Sequence, residues 1–252
     1  MTGLVCRLLV LLSVSLFIAS CSGTVRKHVE RDSSRAVEEQ FTDIRDSSGV
    51  YVHHGQYLAR YTKTGSRAAT GEYRYGLKHG KWVNWYESGR IKETCTYADG
   101  KISGVQVEYY ENGRVRSQTS HKNGLPNGTF AQWFEDGRKR EQGTYLRGLQ
   151  DGEWTTWYAN GKKQEEGSFR SGKRQGTWVS WFDSGQKREE TNYRNGLKDG
   201  PFTTWRPEGL RWTQGEYRNG RKEGTWTTWN EIGLIEKQEQ FSDDRLVTSD
   251  SN

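Results

Sequence analysis

The chain has 252 residues, of which 31% are apolar and 28% charged, with a net charge of +6 and a pI of about 9.1. So small an apolar share argues against an ordinary two-layer core, and the modest, interspersed charge gives no nucleic-acid footprint. Yet disordered chains are poor in aromatics, and 11 Trp with 30 Gly point to a thin fold of turns and stacked rings. The three cysteines, Cys6, Cys21 and Cys95, make no disulfide framework.

In chain order the first feature is a leader. Arg7 precedes an apolar run from Leu8 to Ala19, broken only by Ser13 and Ser15. The run is shorter than the ~20 residues that span a bilayer, and residues 1–20 read as a signal peptide. Its end, Ile18-Ala19-Ser20-Cys21, resembles the bacterial lipoprotein signal. The resemblance implies cleavage before Cys21, lipidation of that thiol and a membrane anchor made of acyl chains. Ser22, where Asp would retain a lipoprotein in the inner membrane, points to the outer membrane of the cell envelope. Residues 21–50 are polar and of mixed charge, which predicts a flexible tether after the lipidated Cys, with room for a short helix over 36–44. Residues 51–70, with Gly55, Tyr57, Tyr61 and Gly65, predict a degenerate capping hairpin.

From residue 71 to 241 the sequence repeats every 24 residues without insertion. One glycine column runs 80, 104, 128, 152, 176, 200, 224, a second 76, 100, 124, 148, 172, 196, 220, and a third 89, 113, 137, 161, 185, 209, 233. Between them lie aromatic columns. The first is Trp82, Gln106, Phe130, Trp154, Trp178, Phe202 and Trp226. The second is Trp85, Tyr109, Trp133, Trp157, Trp181, Trp205 and Trp229. The third is Tyr73, Tyr97, His121, Tyr145, Phe169, Tyr193 and Tyr217, continued by Phe241. Aromatic and Thr-rich runs favour strands, and Asn-Gly, Asp-Gly and Ser-Gly favour tight turns. The prediction is all-β: about seven antiparallel hairpins of 24 residues joined edge to edge in an elongated, twisted, single-layer sheet. A polar tail over 242–252 is expected to be disordered.

The runs Gly215-Glu216-Tyr217, Asn219-Gly220-Arg221-Lys222-Glu223-Gly224 and Trp226 to Gly233, with their upstream equivalents, resemble the MORN repeat. They come closer to the variant of bacterial proteins labelled YwqK-type antitoxins. An ordinary unit has Gly two residues after the Gly224 position, where this chain has Trp226. The resemblance implies a repeat scaffold, and its family label implies an antitoxin. The leader opposes the latter, because an exported lipoprotein cannot neutralise a toxin inside the cell.

Residues three apart on a strand face opposite sides, so the sheet carries rings on both faces. A structural spine is expected from Trp82, Phe130, Trp154, Trp178, Phe202 and Trp226 with Tyr97, Tyr145, Phe169, Tyr193 and Tyr217. The other face is the candidate binding face: Trp85, Tyr109, Trp133, Trp157, Trp181, Trp205 and Trp229. In a simple hairpin register each of these would stand opposite a residue seven further on. Lys92, Arg116, Arg140 and Arg188 would then alternate with the rings and make cation–π contacts. Such a face suits a protein, an envelope polymer or a phospholipid surface. No nucleophile elbow, phosphate loop or ligand set accompanies the five His, so the expectation is a monomeric binding protein with no enzymatic activity, cofactor or metal.

Overall fold

The computed structural model describes residues 16–17, 26–32 and 36–251. Every regular element among them is a β-strand, and each strand pairs antiparallel with its neighbour in sequence. The hairpin array expected from the 24-residue period is therefore the fold. No helix among the described residues is long and apolar enough to cross a membrane. Two compact units divide the chain, the first ending at Arg114 and the second covering 115–252.

Two turn types alternate, and the glycine columns explain both. In the first, residue pairs such as Ser171-Gly172 and Asn195-Gly196 both have positive φ (50° and 76°; 53° and 88°). That is the two-residue type I′ turn, whose twist matches the flanking strands. In the second, Gly161 N donates to Tyr158 O and Tyr158 N to Lys162 O, each at 2.9 Å. This is a type I turn closed by a left-handed glycine (φ 85° at Gly161), the usual three-residue hairpin loop. The first column, with Gly176 and Gly200, also has positive φ but makes no turn. It lies inside strands such as Lys173–Trp181 and Leu197–Trp205, at a β-bulge.

Four expectations need correction. Residues 26–45 are not a tether, and 36–44 is not a helix. Arg26–Asp32 pairs with Val37–Arg45, and the latter pairs again with Gly55–Tyr61. Val37 and Phe41 are buried at 5% and 6% exposure, so a segment without the glycine punctuation still offers an apolar face. The 242–252 segment is not a loose tail, because Arg245–Ser251 pairs with Ile235–Ser242. Its backbone completes the ladder although its sequence is polar. Gly55–Tyr61 forms a hairpin with Arg67–Arg74 but does not cap the array, because Gly55–Tyr61 also pairs with Val37–Arg45. Of the leader, Leu16 and Phe17 pair through their backbone with Lys27 and Arg26. The rest of the signal peptide, Cys21 included, lies outside the described residues.

Candidate binding face

The spine face is closed on itself. Trp82, Trp154, Trp178 and Trp226 are 2–4% exposed and Phe202 is 8%. Each leans edge-on against phenol or phenyl rings. Trp154 meets Tyr145 at 5.4 Å and Phe169 at 5.7 Å, and Phe169 meets Trp178 at 4.9 Å. Trp178 meets Tyr193 at 6.4 Å, and Tyr217 joins Phe202 and Trp226 at 5.3 and 5.0 Å. Phe130 stacks on Trp154 at 5.5 Å, and Trp82 meets Tyr97 at 6.0 Å. Tilted pairs of this kind add about 0.5–1.5 kcal/mol each beyond the area they bury. Burial pushes the phenol of Tyr97 up to about 12 and raises those of Tyr145 and Tyr217.

The indoles lie flat on glycine. A Cβ on Gly143 would stand 1.9 Å from the Trp154 ring; on Gly71, Gly167 and Gly215 it would stand 2.2–2.3 Å from Trp82, Trp178 and Trp226. Each of these glycines precedes its Trp by eleven positions, as 143 precedes 154. Where the ring shrinks the floor grows: Thr119 precedes Phe130, Thr191 precedes Phe202, and Cys95 precedes Gln106 at the same distance. Cys95 itself is buried at 3%, and burial pushes its thiol up. Above the rings sit cations four residues upstream. Arg174 is 3.9 Å from the Trp178 centroid, and Lys78, Lys198 and Lys222 are 4.2–4.4 Å from Trp82, Phe202 and Trp226. The closest cation–π contacts are thus on the spine, not on the opposite face where the sequence reading placed them.

The opposite face holds the second Trp column, half-buried in every unit from Trp85 and Tyr109 to Trp229. Its register differs from the expected one. Trp133 pairs with Lys139, Trp157 with Lys163, Trp181 with Lys187, Trp205 with Arg211, Trp85 with Ile91 and Trp229 with Ile235. The partner is six residues on, not seven, because a bulge follows each pair. The bulge turns the residues of the expected set away from the Trp column. Lys92 and Arg140 approach the rings of Tyr86 and Phe134 at 5.8 and 5.9 Å, and Arg188 Nε donates to Ser180 Oγ at 3.3 Å. Arg116 is exposed on the Val115–Lys122 strand.

Trp and cation do alternate along this face, with Lys139, Lys163, Lys187 and Arg211 as the cations. Each lysine leans onto the next Trp: Lys139 to Trp157 and Lys163 to Trp181 at 5.8 Å, Lys187 to Trp205 at 5.5 Å. Each is also held by the residue three further on. Lys139 Nζ donates to Gln142 at 2.6 Å, Lys187 pairs with Glu190 at 2.7 Å, and Lys163 pairs with Glu166. Beside the ladder runs a trough of about 500 Å³ with Trp133 and Lys139 at one side and Gln118, Thr129, Ala131, Gln142, Thr144 and Thr155 within it. The equivalent positions near Trp229, including Gln214, Gln238, Thr225 and Thr227, line a trough of about 430 Å³.

The sequence reading missed the Gly143 column, the floor of the spine, because it looked for glycine at turns. The signal was there in the first aromatic column: Gly stands eleven positions before each of its Trp residues and Thr before each of its Phe residues. It also missed Lys139, Lys163 and Lys187, whose place depends on a bulge. Among the described residues no group of three His, Cys, Asp or Glu gathers to hold a metal. His53 instead pairs with Asp43 at 2.6 Å and packs on Phe41 at 4.1 Å.

No curated protein matches the chain. The model of the MORN repeat variant matches residues 78–99, 102–123, 150–171 and 174–195. The stretch 126–147 and the stretches after 198 keep the same glycine phase and the same hairpins. Four units of the array therefore match the MORN repeat variant.

Proposed function

We propose that the chain is a cell-envelope scaffold, held to the membrane through a lipidated Cys21, that binds an extended protein or polymer on its second Trp face and catalyses no reaction. The observation that carries this reading is the inequality of the two faces. The spine indoles are 2–4% exposed under their neighbours, whereas the second column keeps half-buried rings in every unit, with open troughs beside Trp133 and Trp229. A single-layer repeat protein presents such a face as a long recognition surface.

Oxidative footprinting of the protein in isolated envelopes, set against the purified chain, tests it. Trp157, Trp181 and Trp205 are expected to be protected in the envelope, with Leu197 unchanged. Equal labelling in both states would contradict a bound partner on this face.

A second reading has its own observation. Along the type I′ turns of the second unit, Leu125, Leu146, Leu149 and Leu197 are 50–52% exposed beside exposed Arg147, Arg170 and Lys173. Leucines among cations suit an anionic bilayer surface. Flotation with phosphatidylglycerol vesicles, and its loss in a Leu149→Ser/Leu197→Ser variant, would support it; no flotation by the unaltered chain would remove it.

A further inference from the structure

The spacing and chemistry of the second Trp face name a class of ligand. Resting on the binding reading above, we infer that the face carrying Trp133, Trp157, Trp181 and Trp205, hollowed beside Trp133, takes an extended β-1,4-linked polysaccharide, lying across the strands with one disaccharide per repeat.

Three observations carry this. The first is period. Equivalent Trp residues are two strands apart, and strands lie about 4.8 Å apart, so indoles recur every ~9.6 Å. That is within a tenth of the length of a disaccharide in an extended β-1,4-linked chain, in which alternate sugars turn the same side to a surface. An extended peptide repeats at two residues, roughly 6.8 Å, and falls out of step within one repeat.

The second is charge. Lys139, Lys163 and Lys187 are already engaged by Gln142, Glu166 and Glu190. The face therefore offers nearly balanced polarity and not a field for anionic headgroups. Amides, carboxylates and ammonium groups in fixed pairs are donors and acceptors suited to sugar hydroxyls.

The third is the mix of surfaces. The trough is floored with Ala131, Thr129 and Thr155 and bounded by Trp133. Such a floor lets a flat ring approach closely, and the slightly positive C–H groups of a pyranose suit the negative face of an indole.

The test uses the full chain and oligomers of β-1,4-linked N-acetylglucosamine lengthened by one disaccharide at a time, read by intrinsic Trp fluorescence. Affinity is expected to tighten roughly threefold to tenfold with each added disaccharide. A Gln142→Ala/Gln214→Ala variant, which leaves every ring in place, is expected to weaken binding of the longest oligomer about tenfold while its melting temperature stays put. Absence of binding, or affinity that does not depend on oligomer length, would overturn the inference. So would binding that phosphatidylglycerol vesicles displace. Envelope footprints on Trp157 and Trp181 without any oligomer binding would overturn the polysaccharide and leave the binding face standing; absent footprints would overturn the face itself.

Discussion

At the scale of single residues, the spine works by fitting ring size to floor size. A Thr in place of Gly167 would drive a branched side chain into the Trp178 indole, where even a Cβ meets ring carbon at 2.3 Å. Overpacking of this kind costs about 1–3 kcal/mol, so Gly167→Thr is expected to lose roughly 2–3 kcal/mol in urea unfolding. Adding Trp178→Phe should return at least half of that, because Thr191 under Phe202 is the same pair already present in the chain; a strictly additive double variant would refute the fit. The buried phenols set the alkaline limit. Tyr97 ionises at about 12 in the fold against 10.0 when free. Its folded value is the higher one, so its contribution to stability is whole below pH 10 and is lost as pH rises through about 12. Absorbance of phenolate followed with circular dichroism should show late-titrating tyrosines and unfolding in that window. Cys95, raised by burial, is expected to resist maleimide until the chain unfolds.

At the scale of the hairpin, neighbouring units are joined by side chains that reach the next unit's backbone. Tyr158 Oη donates to Trp181 O at 2.8 Å, Tyr86 Oη to Tyr109 O at 2.6 Å, and Arg206 to Trp229 O at 3.1 Å. Phe182 occupies the same position without a donor. A neutral hydrogen bond is worth about 0.5–1.5 kcal/mol net. Tyr158→Phe should therefore lose about 1 kcal/mol in denaturant unfolding and Phe182→Tyr gain a similar amount; no change in either would rule out the staple. At the opposite turns, Asp151, Gln175 and Asp199 accept from the backbone N–H of Ser171, Asn195 and Asn219 at 2.9–3.1 Å. Much of this scale was legible in advance. Gly172 and Gly161 announce their turns because only glycine sits easily at positive φ, and Trp154 with Tyr145 announces the shared face by strand alternation. The bulge at Gln164, between the Thr156 and Trp157 pairings, was not legible, since Lys163 and Gln164 differ little as letters and register depends on how the whole ladder closes. Nor were the strands at 26–45 and 245–251, where backbone pairing with an existing edge outweighs a polar composition.

At the scale of the molecule, each hairpin touches chiefly its neighbours, so stability should add up unit by unit. Excising residues 152–175, one full period, joins Asp151 to Gly176 in phase. That variant is expected to fold with a lower melting temperature, while an excision a few residues longer or shorter should fail to fold cooperatively. The central claim is that one face holds the sheet together and the other meets a partner. Urea unfolding of Trp178→Ala beside Trp181→Ala tests it most directly, as the two positions lie three residues apart on the Lys173–Trp181 strand. Removing a fully buried indole costs about 3–5 kcal/mol; Trp178→Ala is expected in that range and Trp181→Ala at less than half of it. Equal losses from the two variants would make both columns structural and contradict the account.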